Sequence, residues 1–147
     1  IDQRKAFLIK HQIGVCDIVE SAERDKIDAS DLGMTNVKLR NLIHYLEQFP
    51  KIETLLFIGG NSKNGPEYFF RKHINEYNLK LKLVSNEIPR IHKFQLDERT
   101  IQTVSLTSSS GSANRAIGSM LLYQQMKRNN PNFNTFDFRI MQYKNHI

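Results

Sequence analysis

The sequence predicts an α/β fold, a three-layer sandwich with a central, mainly parallel sheet flanked by helices. Three observations carry this expectation. Strand-like and helix-like segments alternate along the chain, the pattern of a parallel sheet built from β–α–β units. The run TLLFIGG, 54 to 60, is continuously apolar and ends in two glycines, as a strand covered on both faces does. The 147 residues suit one domain with one core, and no linker, repeat or low-complexity tail divides them.

Each element follows from its local pattern. Residues 2 to 12, DQRKAFLIKHQ, read as a helix with a basic face. Ile13 to Val19 is a short apolar run opened by a glycine, a strand or a tight loop. Glu20 to Asp31 mixes acids and bases densely and suits a surface loop. Thr35 is placed as the cap of a helix in which Leu39, Leu42, Ile43, Leu46 and Phe49 recur at helical spacing. Pro50 stops that helix. After the strand at 54 to 60, NSKNGPEYFFRKHI gives a turn and a helix, with Pro66 suited to its first turn. LKLKLV, 79 to 84, alternates like a one-sided strand, and beyond Pro89 the runs IHKFQL and IQTVSL are two further strands. Residues 112 to 128 read as one helix, Pro131 breaks it, and Thr135 caps a last helix, FDFRIMQYKN.

Hydrophobic residues make up 39% and charged residues 24%, a globular rather than a disordered balance. No apolar run approaches the roughly 20 residues of a membrane-spanning helix, and no charged-then-apolar leader opens the chain. The single cysteine, Cys16, excludes an internal disulfide, a zinc cluster and an iron–sulfur site, and points to an intracellular, cytoplasmic setting. The formal net charge of +6 favours polyanionic partners, because each Lys or Arg beside a phosphate releases a counterion.

In parallel sheets, ligands bind where strands end in their carboxyl-terminal turns. Three such turns follow Val15, Ile58 and Leu106. The last is SLTSSSGSANRAIGS, 105 to 119, in which serine hydroxyls and backbone N–H groups precede a helix and suit an anion. Composition alone favours a serine-rich cap without a ligand. The stretch is neither a P-loop nor a GxSxG elbow, and no histidine motif offers a serine nucleophile its base. The five histidines, His11, His44, His73, His92 and His146, are scattered without metal-ligand spacing. Cys16 reads as a small buried side chain. Tyr68, Phe69 and Phe70 read as core. Asp17, at the end of an apolar segment, either caps the next turn or faces a ligand pocket, since a buried acid needs a partner.

Three stretches together resemble the uracil-DNA glycosylase superfamily. They are IGVCDIVESAERDKIDASD, IETLLFIGGNSKNGPEYFFRKH and LTSSSGSANRA, and their order and spacing agree with its mismatch-specific thymine/uracil and hypoxanthine-DNA glycosylase-like branches. The likeness runs from about Ile13 to Arg128. It implies an enzyme that flips a uracil, hypoxanthine or mismatched base out of DNA and hydrolyses its N-glycosidic bond, acting as a monomer without metal or redox cofactor. Ser108, Ser109, Ser110, Gly111 and Ser112 would grip the DNA backbone, with Ala113, Asn114 and Arg115 at the penetrating tip or its base. Gly14 and Asp17 would line the base pocket. Gly59 and Gly60 would shape the strand end beside it.

The chain departs from the family twice. Gly111-Ser112 stands where the branch pattern has Pro-Ala. The family's first motif, a glycine- and proline-containing loop that positions the attacking water, has no counterpart here. In the hypoxanthine-like branch an aromatic and asparagine-bearing segment follows that loop, and IDQRKAFL resembles the helix just downstream of the segment, so the resemblance places the first strand and the catalytic group upstream of Ile1. A non-catalytic α/β module that binds a nucleotide or nucleic acid is the alternative from the same residues. A doubly wound protein whose serine loop holds a phosphate is a third.

Overall fold

In the computed structural model, residues 1–25 and 31–147 are described, the side chain of Asp31 excepted. Among them stand six α-helices, a two-stranded ribbon and a four-stranded sheet. The helices are α1 (Asp2–Lys10), α2 (Leu42–Gln48), α3 (Pro66–Asn75), α4 (Asn114–Gly118), α5 (Leu121–Asn129) and α6 (Thr135–Lys144). The strands are β1 (Val19–Arg24), β2 (Met34–Leu39), β3 (Thr54–Ile58), β4 (Lys82–Ser85), β5 (Arg90–Leu96) and β6 (Arg99–Leu106). None of the described helices is long and apolar enough to cross a membrane.

The sheet has the order β3-β6-β5-β4 and is mixed, not mainly parallel. Only β3 and β6 run parallel, from Thr54 opposite Gln102 to Ile58 opposite Leu106. β5 and β6 form a hairpin in which Leu96 faces Arg99, and β4 pairs antiparallel with β5. Chain length decides this. A parallel crossover needs a dozen or more residues, whereas only Asp97 and Glu98 separate β5 from β6. Asp97 takes φ 54°, the left-handed region that a short polar residue tolerates.

One face of the sheet carries Phe57, Arg90, His92, Phe94, Leu96, Ile101, Thr103 and Ser105. With Leu42, Ile43 and Leu46 of α2 and Phe70 and Ile74 of α3, its apolar members make the larger core cluster. On the opposite face, Val104 and Leu106 are buried while Gln102 is exposed. The sheet is therefore covered on both sides only toward the carboxyl end of β6, since Ile58 at the end of β3 is exposed. Ile117, Tyr123 and Phe138 form a second, smaller cluster among α4, α5 and α6.

Several boundaries differ from expectation. Thr35 does not cap a helix. Met34–Leu39 is a strand paired with β1, with shifts in register, and the helix starts at Leu42. Asn41 is the cap, its side chain accepting from the His44 N–H at 3.1 Å. Leu39 met the helical spacing by coincidence. Ile13 to Ile18 form no strand, β1 occupies part of the expected charged loop, and residues 26–30 of that loop lie outside the described residues. Cys16 is exposed rather than buried. The helix expected over 112 to 128 is a 3-10 turn, α4 and α5, interrupted at Ser119 and Met120. The last helix is capped by Asn134, which exchanges two hydrogen bonds of 3.0 Å with Asp137 in a capping box; Thr135 is its first residue.

Arg99 ties α2 to the hairpin. Its guanidinium donates to the carbonyls of Leu46, Phe49 and Ile52, at and beyond the end of α2, and the Phe49 carbonyl also accepts the Ile52 N–H.

Candidate nucleic-acid interface

The parallel pair ends in two neighbouring turns. The N–H groups of Gly59 and Gly60 both donate to the Leu106 carbonyl, at 3.0 and 2.8 Å, so the glycine turn and the serine loop leave the sheet side by side. Gly60 has φ 60°, which favours glycine. A Cβ on Gly59 would meet Pro66 Cδ at 2.8 Å, so the missing side chain lets α3 start hard against the strand end. The expected structural role of this pair has that basis.

Beneath the turns lies a buried polar cluster that sequence patterns did not single out. Glu67, in the first turn of α3, is 1% exposed. Ser105 Oγ donates to its Oε1 at 3.0 Å, and the guanidinium groups of Arg71 and Arg90 lie 3.6 and 3.5 Å from Oε2. Arg71 Nη2 also sits 2.9 Å from His92 Nε2. A guanidinium only donates, so Nε2 is the acceptor and the His92 proton resides on Nδ1. That nitrogen faces Glu67 Oε1 at 3.3 Å without the alignment of a hydrogen bond.

Burial lowers the His92 pKa below the usual histidine value, against the opposing pull of Glu67. Burial does the same to His73, whose Nε2 accepts from the Ile43 N–H at 3.2 Å, with Glu76 opposing. Both rings are thus held neutral. The unfolded chain takes up these protons near pH 6.5 while the native state resists them. Their contribution to stability is therefore present above about pH 6.5 and is lost as pH falls through the lowered native values. Thermal melts from pH 8 to pH 5 should show a falling midpoint, and replacing both histidines by Gln should flatten the fall. An equally steep fall in the double variant would assign it to other groups.

The loop itself is held from α6. Tyr143 donates its hydroxyl to the Thr107 carbonyl at 2.5 Å, and the Thr107 N–H donates to Gln142 Oε1 at 2.7 Å. Burial raises the Tyr143 pKa, against Arg139, so the hydroxyl keeps the proton it donates. Arg139 donates from Nε to the Ser108 carbonyl at 2.9 Å, and from Nη2 to the Ser110 carbonyl and Asn114 Oδ1, both at 2.8 Å. Arg139, Gln142 and Tyr143 stand at i, i+3 and i+4, one face of a helix. That spacing was visible in the sequence, but nothing there marked a loop some thirty residues away as its target.

Within the loop, Ser110 Oγ receives the Ser112 N–H at 3.3 Å and lies 2.9 Å from Ser112 Oγ, while the Ser110 N–H donates to Ser108 Oγ at 3.1 Å. Ser109, Ser110, Gly111 and Ser112 are exposed and Ser108 is half-buried. The helix behind them is only the five residues of α4, so the mouth of a long helix, expected here, is not what the loop opens onto. Asn114 begins α4 with its side-chain Oδ1 turned onto Arg139. Arg115 is exposed and makes no ion pair among the described residues.

Gly14 and Asp17 lie between α1 and β1, and both are exposed. Asp17 is thus not a buried acid. Its backbone carbonyl accepts from Arg40 Nε at 2.9 Å, and the Arg40 N–H donates to the Ile18 carbonyl at 2.8 Å, which fixes the segment to the β2–α2 junction. Among the described residues, no hydrogen bond or ion pair joins this segment to the serine loop. No protein-family model, curated protein or solved structure matches the chain.

Proposed function

We propose that the protein is a DNA-repair glycosylase of the uracil-DNA glycosylase type, which hydrolyses the N-glycosidic bond of a flipped uracil, hypoxanthine or mismatched base. The observation that carries this reading is the exposed serine loop, held in one shape at the carboxyl end of the parallel pair by Arg139, Gln142 and Tyr143. A rigid run of hydroxyls beside an exposed arginine, on a chain of net charge +6, suits the sugar–phosphate backbone. Gly14 and Asp17 are the base-pocket residues of this reading, and both are exposed on the segment between α1 and β1. A full three-layer arrangement of helices about the sheet, and a monomer acting on one lesion, belong to the same reading. The direct test is incubation of the full-length protein with duplexes bearing uracil, hypoxanthine or a G·T mismatch, followed by alkali. Strand cleavage at one of them is the expected result; intact strands with folded protein would sink the reading.

One observation favours a second reading, a non-catalytic module that binds nucleic acid. Asp17 is the only acid the likeness brings to the site, and its carboxylate makes no hydrogen bond among the described residues, so no described group orients a water upon it. Such a module binds damaged and intact duplexes alike and releases no base.

Both readings place Arg115 on a phosphate. Arg115→Ala should weaken DNA binding and lower the slope of log K against log salt by about 0.9, the share of one phosphate contact. An unchanged slope would show that the side chain points elsewhere.

A further inference from the structure

We infer that Arg139 is a positioning residue for the nucleic-acid loop, an inference that rests on the DNA-binding reading of that loop. Its single guanidinium engages three acceptors spread over seven residues: the carbonyls of Ser108 and Ser110 and the side chain of Asn114. The base of this arm is fixed. The neighbouring Phe138 is buried in the cluster of α4, α5 and α6, and the capping box sets the start of α6.

The clamp acts on electrostatics as well as shape. Carbonyl oxygens repel a phosphate, and two of the loop's carbonyls are turned onto a cation instead. The hydroxyls of Ser109, Ser110 and Ser112 lie on the exposed run, and the half-buried guanidinium adds its positive charge below them. Local sequence does not dictate this conformation. Ser-Gly-Ser segments are permissive, and the bonds from Ser108 to Ser112 within the loop close only short turns. Among the described residues, the guanidinium of α6 is the one group that ties both ends together. Asn114, which the resemblance places at the penetrating tip or its base, supplies the third acceptor of the clamp.

Arg139→Lys separates positioning from charge, because lysine keeps the positive charge and loses the planar fork. Two measurements decide. Amide hydrogen exchange across residues 108–114 reports the loop with no DNA present. Binding to a short duplex with one abasic site, at several salt concentrations, reports function. Arg139→Lys should exchange its loop amides faster and bind the duplex about tenfold more weakly or worse, the effect of losing one charge-assisted hydrogen bond. Its salt slope should match that of the parent, unlike the slope of Arg115→Ala. Asn114→Ala removes one acceptor, leaves α6 untouched and should accelerate loop exchange to a lesser degree. Parental exchange in both variants would overturn the clamp. Faster exchange with parental DNA affinity would overturn its role in recognition. Failure of the parent itself to bind the duplex would remove the DNA-binding reading, and the exchange data would then still decide the clamp.

Discussion

Replacing Glu67 with glutamine is expected to cost the fold about 3 kcal/mol, the lower end of the range for breaking a buried ion pair. The carboxylate is 1% exposed, and two guanidinium groups and the Ser105 hydroxyl converge on it. Glutamine keeps the volume and leaves Arg71 and Arg90 without a counter-charge. Their side chains are 39% and 21% exposed, so water relieves part of that cost, which is why the low end applies. For a chain of this size the melting temperature should fall by about 6–12 °C. A loss below about 1 kcal/mol would mean that the cluster is a solvated surface pair. Removing both arginines together with Glu67 should recover part of the loss, because the penalty comes from stranded charge rather than from the absence of the pair. The cluster bonds to Ser105, two residues before Thr107, so it underpins the platform from which the serine loop leaves the sheet.

Glu67 also shows where sequence reading stops. The helix Pro66–Asn75 was legible from Pro66 and from the core character of Phe69 and Phe70. A glutamate in a first turn reads as a surface acid facing a helix dipole. Only its distant partners, Arg90, His92 and Ser105, make it a buried one. The strands at 54 to 58, 90 to 96 and 99 to 106 were legible because their apolar runs are short and bounded by glycine, proline or charge. Their directions were misread. Weighing the two-residue turn at Asp97 and Glu98 against the length of a crossover would have predicted the hairpin. The spacing draws Val37–Leu39 into the helix expected after Thr35, because Leu39 falls in step with Leu42, Leu46 and Phe49. The alternation of Thr35, Val37 and Leu39 carried the competing period of two. The serine loop was legible as a polar turn at a strand end. What holds it was not, because Arg139, Gln142 and Tyr143 act across sequence separations of 25 to 36 residues.

The second large effect is expected at Phe70, the residue of α3 that faces the sheet between Phe57 and Phe94. Its side chain has no exposed surface, and its ring centroid lies 5.2 Å from that of Phe57 and 5.5 Å from that of Phe94. Phe70→Ala should destabilise by about 3–5 kcal/mol, combining lost burial with the cavity left between helix and sheet. Phe70→Leu keeps most of the volume and should cost about 1.5 kcal/mol or less. Urea unfolding midpoints at pH 7.5 separate the two, and equal losses would argue that the site collapses around the smaller residue. Phe70 lies one helical turn beyond Glu67, so the two variants test whether α3 docks as one unit. If the aromatic contact and the ionic cluster hold the helix independently, their losses add. If each presents the helix to the other, the double variant loses less than the sum, with a coupling of about 0.5–3 kcal/mol. The Gly59–Pro66 contact favours coupling. It fixes the start of α3 against the end of β3 from a third side, so a helix shifted by the loss of Phe70 pulls Glu67 away from Ser105.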